Sequence, residues 1–131
     1  MIQNRVVARF KDGRMLKGTT QDFSPAKDVF HVIPSEGGAR PVKVNIGDLK
    51  AVFFVKSLVG NAGYHEGRQF GHAVSGRKLQ VTFVDGEVIV GSTQAYQPDR
   101  PGFFLVPADP QSNNERVYVI ARAVKAVNVL A

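Results

Sequence analysis

One pattern occurs twice in this chain, and it constrains the fold more than any other feature of the sequence. The first copy runs from Arg9 to Pro34 and the second from Thr82 to Pro107, 73 positions later and without a gap. The matched positions include Phe10 with Phe83, Asp12 with Asp85, Gly13 with Gly86, Gly18 with Gly91, Thr20 with Thr93 and Phe30 with Phe103. An internal repeat of this kind indicates two copies of one structural unit.

Each copy has the pattern of five short strands. In the first, Val6, Ala8 and Phe10 fall on one face of an alternating segment, which is typical of a half-buried strand. An Asp-Gly pair follows, the strongest short signal for a two-residue hairpin turn, because both turn positions favour positive φ. A glycine inside the second strand marks a bulge or bend. Three further strands are predicted, with a single helical turn before the last.

The spacing from Ala8 to Phe23 (apolar-x-Phe-x-Asp-Gly-x4-Gly-x-Thr-x-x-aromatic) resembles the first motif of Sm-like proteins. The tandem form is similar to an uncharacterised bacterial domain family. The resemblance implies an all-β fold of two tandem five-stranded SH3-like (Sm-like) small barrels from an internal duplication. The expected division is a first barrel at 1–58, a glycine-rich linker at 59–75 and a second barrel at 76–131. Units this small are expected to pack on each other or on another chain.

The resemblance does not extend to the RNA-reading residues of that family. Sm-like proteins bind single-stranded RNA through an Asp and an Asn of the first motif and an Arg-Gly or Lys-Gly of the second. Counted from Gly18, the first two positions hold Ser24 and Asp28, and residues 45–47 (Asn-Ile-Gly) replace the basic dipeptide. The resemblance therefore implies the fold without the family's base-reading pocket.

Charge is distributed unevenly along the chain, whose formal net charge is +6. Residues 1–58 hold ten Lys and Arg against five Asp and Glu, which gives +5, whereas residues 76–131 hold six against five, which gives +1. A basic half suggests a surface that faces a polyanion. The cations that cluster around the first hairpin are Arg9, Lys11, Arg14, Lys17 and Lys27. We expect weakly sequence-specific binding of RNA or DNA there, with Arg9, Lys11 and Arg14 on one outer face.

Two other kinds of binding remain open. Arg5 and Arg9, followed by Asp22 and Ser24, partly resemble the motif pair of PilZ-type cyclic-dinucleotide receptors, although Lys27 stands where that family has glycine. An SH3-type barrel with open strand edges is also suited to a protein-interaction adaptor or scaffold, or to association with its own copies.

No residue pattern predicts catalysis, and we expect a non-enzymatic protein without a cofactor. The dipeptide His65-Glu66 begins like a zinc-protease helix, but the second histidine of that motif is missing. A metal site built from His65, Glu66 and His72 is an open alternative, although no metal is expected.

The sequence also bears on location. It contains no cysteine, no apolar run of membrane-spanning length and no apolar core of a signal peptide near Met1. These features predict a cytoplasmic protein that does not act at a membrane.

Overall fold

Ten antiparallel strands make up nearly all of the regular structure. The computed structural model describes residues 3–36, 40–60, 64, 66–68, 70 and 76–130. The strands are β1 (Asn4–Phe10), β2 (Met15–Thr20), β3 (Val29–Pro34), β4 (Val42–Asn45), β5 (Leu49–Val55), β6 (Arg77–Phe83), β7 (Val88–Thr93), β8 (Gly102–Pro107), β9 (Asn114–Ile120) and β10 (Val124–Val129). Single 3-10 turns, η1 (Ile46–Asp48) and η2 (Ala121–Ala123), precede β5 and β10. The predicted all-β class is confirmed. Among the described residues, no helix is long and apolar enough to cross a membrane.

The strands form one sheet in the order β10-β6-β7-β8-β9-β5-β1-β2-β3-β4. Residues 4–55, here called the N-terminal half, and residues 77–129, the C-terminal half, therefore follow the same order of strands. Register is shared as well: Phe10 pairs with Leu49, Phe83 pairs with Val124, and an irregularity follows at the same place in both pairs. The two halves join where β5 pairs with β9, and β4 and β10 are left as the two edges.

Both hairpin turns lie where the sequence predicts them, but the predicted turn type is wrong. Gly13 and Gly86 have φ of 95° and 94°, and no other type of residue has positive φ in the described ranges. The amide of Gly13 donates to the carbonyl of Phe10 at 3.1 Å, and the amide of Phe10 donates to Arg14 at 2.9 Å. This is a three-residue loop closed by a left-handed glycine. Asp12 keeps a negative φ because its carboxylate accepts the amide of Arg14 at 3.0 Å.

Glycines in β2 and β7 allow the neighbouring strand to approach closely. A Cβ atom on Gly18 would lie 2.1 Å from the carbonyl oxygen of Ile33 on β3. On Gly91 it would lie 2.2 Å from the carbonyl oxygen of Val106 on β8. These contacts are with backbone, which cannot rotate away as a side chain can. A residue with a side chain would therefore push the two strands apart.

Two apolar cores lie on opposite faces of the β5–β9 pair. Val52 and Phe54 of β5 pack with Tyr118 of β9 in the core of the N-terminal half. The alternate residues of β5, including Phe53, pack with Val117 in the core of the C-terminal half. Every residue of β5 is buried. The two halves therefore share buried side chains and stabilise each other.

Candidate functional site

A buried lysine joins the two halves. The side chain of Lys50 is 5% exposed, and its Nζ donates to Oδ2 of Asp85 at 2.7 Å and to Oε1 of Glu87. The same Nζ lies 4.6 Å from the ring centroid of Phe83. Arg9 donates to both oxygens of Glu87, at 3.1 and 3.3 Å. The hydrogen bond from Lys50 holds the pKa of Asp85 below its usual value.

This junction cluster removes most of the charge asymmetry seen in the sequence. Two cations of residues 1–58, Lys50 and Arg9, pair with two carboxylates of residues 76–131, Asp85 and Glu87. Without the paired groups, residues 1–58 have eight cations against five carboxylates, and residues 76–131 have six against three. Each segment then carries +3. The +5 and +1 of the sequence therefore do not describe how charge is presented to a ligand.

The structure divides the five predicted cations between two places. Arg9 and Lys17 extend from β1 and β2 into a cavity between the halves. Lys11 and Arg14 of the β1–β2 hairpin, and Lys27 of the loop between β2 and β3, do not line this cavity. The expectation that Arg9 shares an outer face with the hairpin cations is wrong, because its guanidinium turns toward Glu87 of the other half.

Of the predicted cations outside the cavity, one is paired with a carboxylate. Arg14 Nε donates to Asp12 Oδ2 at 2.7 Å, and the amide of Arg14 is the main cause of the lowered pKa of Asp12. The amide of Lys11 donates to the carbonyl of Asp48 at 3.0 Å, which places the hairpin beside η1. Lys27 is followed directly by an aspartate. Neither Lys11 nor Lys27 has a carboxylate partner in the described part of the chain, so the predicted cations outside the cavity are only partly neutralised.

A stronger concentration of unpaired cations lies at the end of β5. Two cavities of about 350 and about 460 Å³ reach this end of the strand: Phe53 lines the first, Phe54 lines the second, and Val55 lines both. We call them together the inter-half groove. It is lined by four exposed cations that have no carboxylate partner within the described ranges: Arg5, Lys17, Arg68 and Arg116. The groove takes Lys17, one of the five predicted residues, as an unpaired cation. It adds Arg5, which the sequence assigned to the alternative nucleotide site, and two residues that sequence reasoning did not select, Arg68 and Arg116.

The groove cations are held in different ways. Arg5 donates to the carbonyl of Lys56 at 2.9 Å. The guanidinium of Arg116 lies 4.4 Å from the ring centroid of Phe54 and 5.0 Å from that of Phe104. Stacking of this kind fixes the guanidinium plane and leaves its N–H groups available to an acceptor. Lys17 lies opposite Val7 on the β1–β2 pair.

Few carboxylates in the groove are left to oppose these cations. Glu66 accepts a hydrogen bond from Ser112, and Glu87 belongs to the junction cluster. Glu66 and Glu115 are the groove carboxylates without a cation partner in the described part of the chain. Four unpaired cations against two unpaired carboxylates give a net positive potential, which is strengthened where a concave wall limits access to water.

The residues of the alternative nucleotide site do not converge. Asp22 Oδ2 lies 2.7 Å from Nδ1 of His31, and Oδ1 accepts the amide of His31 at 2.9 Å. Partial burial works to raise the pKa of Asp22, but the hydrogen bonds from His31 leave it below its usual value. Ser24 Oγ accepts the amide of Ala26 within its own loop at 3.2 Å. Arg9 is paired with a carboxylate, so this set does not form one pocket.

The metal alternative cannot be placed. His65 and His72 lie outside the described residues. Glu66 is described, and its carboxylate is engaged by Ser112. The part of the chain that is described holds no group of three or more residues suited to a metal ion.

The fold and groove together define an all-β protein made of one ten-stranded antiparallel sheet, with a basic cleft where its two similarly ordered halves meet. The chain belongs to the family of unknown function DUF6982, whose model matches residues 2–131. The expected membership of an uncharacterised domain family is therefore confirmed. No curated protein and no solved structure matches the chain.

Proposed function

We propose that this protein is a non-enzymatic module that binds nucleic acid with little sequence preference through the inter-half groove. The observation that carries the proposal is the set of four exposed cations without carboxylate partners around two cavities that share Val55 in their linings. Lysine and arginine bind phosphates by displacing condensed counterions, and this binding does not depend on the base sequence. Arg116, stacked on Phe54 and Phe104, also offers a flat surface on which a base can stack.

The proposal includes the finer fold assignment. We assign the two halves to tandem five-stranded units of the SH3-like (Sm-like) type that arose by internal duplication. The shared strand order and the shared register of β5 on β1 and of β10 on β6 support this assignment. We also assign the module to the cytoplasm, which a chain without cysteine permits.

The test is a fluorescence-anisotropy titration with labelled mixed-sequence RNA and DNA at two salt concentrations. Two double variants with the same change in net charge separate the groove from the hairpin: Lys17→Glu with Arg68→Glu, and Lys11→Glu with Arg14→Glu. Neither Lys17 nor Arg68 makes a side-chain hydrogen bond within the described residues, so the groove variant is expected to fold. Circular dichroism checks folding of both proteins.

Wild-type binding should weaken by roughly 0.7–0.9 log units per log of salt for each phosphate contact. The groove variant should bind more weakly and lower that slope by about 2, one for each cation removed. The hairpin variant should keep most of the affinity. A larger loss of affinity in the hairpin variant than in the groove variant would show that the hairpin cations are the binding site.

Cyclic dinucleotide is titrated beside the nucleic acids. Binding of the dinucleotide alone would favour the alternative site around Arg5 and Asp22. Absence of binding to all three ligands at low salt would overturn the proposal and leave a protein-interaction adaptor or scaffold as the better interpretation.

A further inference from the structure

The β5–β9 pair shows which side chains cover the β5 edge of the N-terminal half when another strand pairs with it. β9 lies along β5 in antiparallel register, with Tyr118 opposite Val52. The ring of Tyr118 lies 5.3 Å from that of Phe23, which itself packs on Phe54. An aromatic side chain from the incoming strand thus covers the rings at the end of the first core. Val52 and Phe54 are buried as a result, at 0% and 4% exposure.

The corresponding edge of the C-terminal half, β10, is uncovered in the described structure. β10 pairs with β6 in the register that β5 adopts on β1, so Val127 corresponds to Val52 and Val129 to Phe54. Val129 is 56% exposed, against 4% for Phe54. Tyr96, the counterpart of Phe23, packs on Phe103 and lines an open cavity of about 210 Å³ beside Val127. The cavity lies where an aromatic side chain would lie if a strand covered β10.

Charge at this edge indicates what the incoming strand should carry. Lys125 corresponds to Lys50, which is buried against two carboxylates of the β6–β7 hairpin, Asp85 and Glu87. Lys125 is instead exposed, lines the cavity and has no carboxylate partner among the described residues. Arg100 lines the same cavity. An acidic strand would satisfy both cations.

A second copy of this chain does not meet those needs. A second copy has two free edges, β4 and β10. β10 carries neither an aromatic side chain nor a carboxylate, and β4 would bring Lys43 to the position that Tyr118 holds at the internal junction. Lys43 would place a third cation beside Lys125 and Arg100. Pro41, just before β4, has no backbone N–H to donate and shortens any ladder. Self-association through these edges is therefore disfavoured.

We propose that the β10 edge is a docking site for an extended segment of a partner protein that carries an aromatic side chain and nearby carboxylates. The segment pairs antiparallel with Val124–Val129. Its aromatic side chain lies opposite Val127 over Tyr96, and a carboxylate two residues later reaches Lys125. In strand addition of this kind, main-chain hydrogen bonds provide affinity and side-chain pockets provide specificity. This site is separate from the inter-half groove, so its test does not depend on whether the protein binds nucleic acid.

The probe is a peptide based on the strand that already covers the equivalent edge. It has the sequence of residues Asn114–Ile120 with Arg116→Glu and Ile120→Glu, which keeps the tyrosine and supplies carboxylates. The control peptide carries Tyr118→Lys in addition, to copy what β4 would present. Titration calorimetry with the full-length protein measures both affinities, and amide chemical shifts locate the binding.

The aromatic acidic peptide should bind, with shifts concentrated in β10 and around Tyr96. The control peptide should bind about tenfold more weakly or not at all, because the ring no longer covers the cavity. In the protein, Lys125→Glu should weaken binding about fivefold, whereas Lys43→Glu, an equal charge change at the other edge, should not.

Three results would overturn the proposal. They are equal affinity for the two peptides, shifts confined to β4, and dimers in light scattering that dissociate on Lys43→Glu. The last would make a second copy the occupant. Since Lys125 is exposed, its variant is expected to fold, and a circular dichroism spectrum confirms this before titration.

Discussion

Replacing Lys50 by methionine tests whether the junction cluster holds the two halves together. Methionine keeps most of the buried aliphatic volume and removes the charge. It leaves Asp85 and Glu87 facing each other without the cation that Lys50 supplies at 2.7 Å from Asp85. Breaking a fully buried pair costs about 3–5 kcal/mol. The carboxylate side chains here are 50% and 37% exposed, so water compensates part of that loss. We expect Lys50→Met to lower the free energy of unfolding by about 2 kcal/mol.

Urea denaturation followed by circular dichroism measures this change at pH 7. A second variant, Lys50→Met with Asp85→Asn, removes one cation and one carboxylate, leaves the Arg9–Glu87 pair intact and is the matched control. Replacing a complete buried ion pair by neutral groups is often close to neutral, so this variant should recover most of the lost stability. Equal loss in both variants would show that side-chain packing of Lys50, and not its charge, stabilises the junction.

The same electrostatic explanation predicts how the stability difference between wild type and Lys50→Met changes with pH. The pKa of Asp85 is lower in the folded protein than its ordinary value of 3.8, chiefly through the hydrogen bond from Lys50. A depressed carboxyl pKa contributes stability above the unfolded value, and that contribution is lost as pH falls through the folded value. The gap between wild type and Lys50→Met should therefore shrink below about pH 4. A gap that is absent at pH 7, or that widens in acid, would contradict this electrostatic explanation.

Two further predictions concern single positions in the N-terminal half. Gly18→Ala should destabilise the protein by about 3 kcal/mol, because the new Cβ atom would lie 2.1 Å from the carbonyl oxygen of Ile33. Gly47→Ala is the control: nothing lies within 4 Å of its new Cβ atom, so stability should change by less than about 0.5 kcal/mol. Similar urea midpoints for the two variants would contradict this prediction. Asp22→Asn should lower the free energy of unfolding by about 1 kcal/mol at pH 7, because it weakens the hydrogen bonds from His31. The loss should be much smaller below about pH 4, since the pKa of Asp22 is depressed and its contribution to stability disappears as the carboxylate is protonated. Asp28→Asn is the control, and a loss that does not vary with pH would contradict the prediction.

Strand content was the part of the fold most open to prediction from sequence. Alternation in β1 and β6, the Asp-Gly turns and the glycines at 18 and 91 are local signals, and each half has the five predicted strands. The pairing of β5 with β9 is different, because it joins segments that are distant in sequence and dissimilar in side chains. Nothing near Ala51 or Val119 indicates that these residues would lie opposite each other. That pairing requires the complete three-dimensional packing of both halves.

The same long-range pairing explains why the candidate site was predicted only in part. Counting charge along the chain assigns Arg9 and Lys50 to a basic N-terminal half, although both are neutralised by carboxylates 35 to 78 positions away. Arg116 had no signal as a ligand-binding residue, because its stacking partner Phe54 belongs to the other half. Lys17 was selected for closeness to the hairpin, yet it lies in the groove because β2 passes beside the C-terminal half. A binding surface formed at a junction can be found only once the residues that neutralise each other there are known.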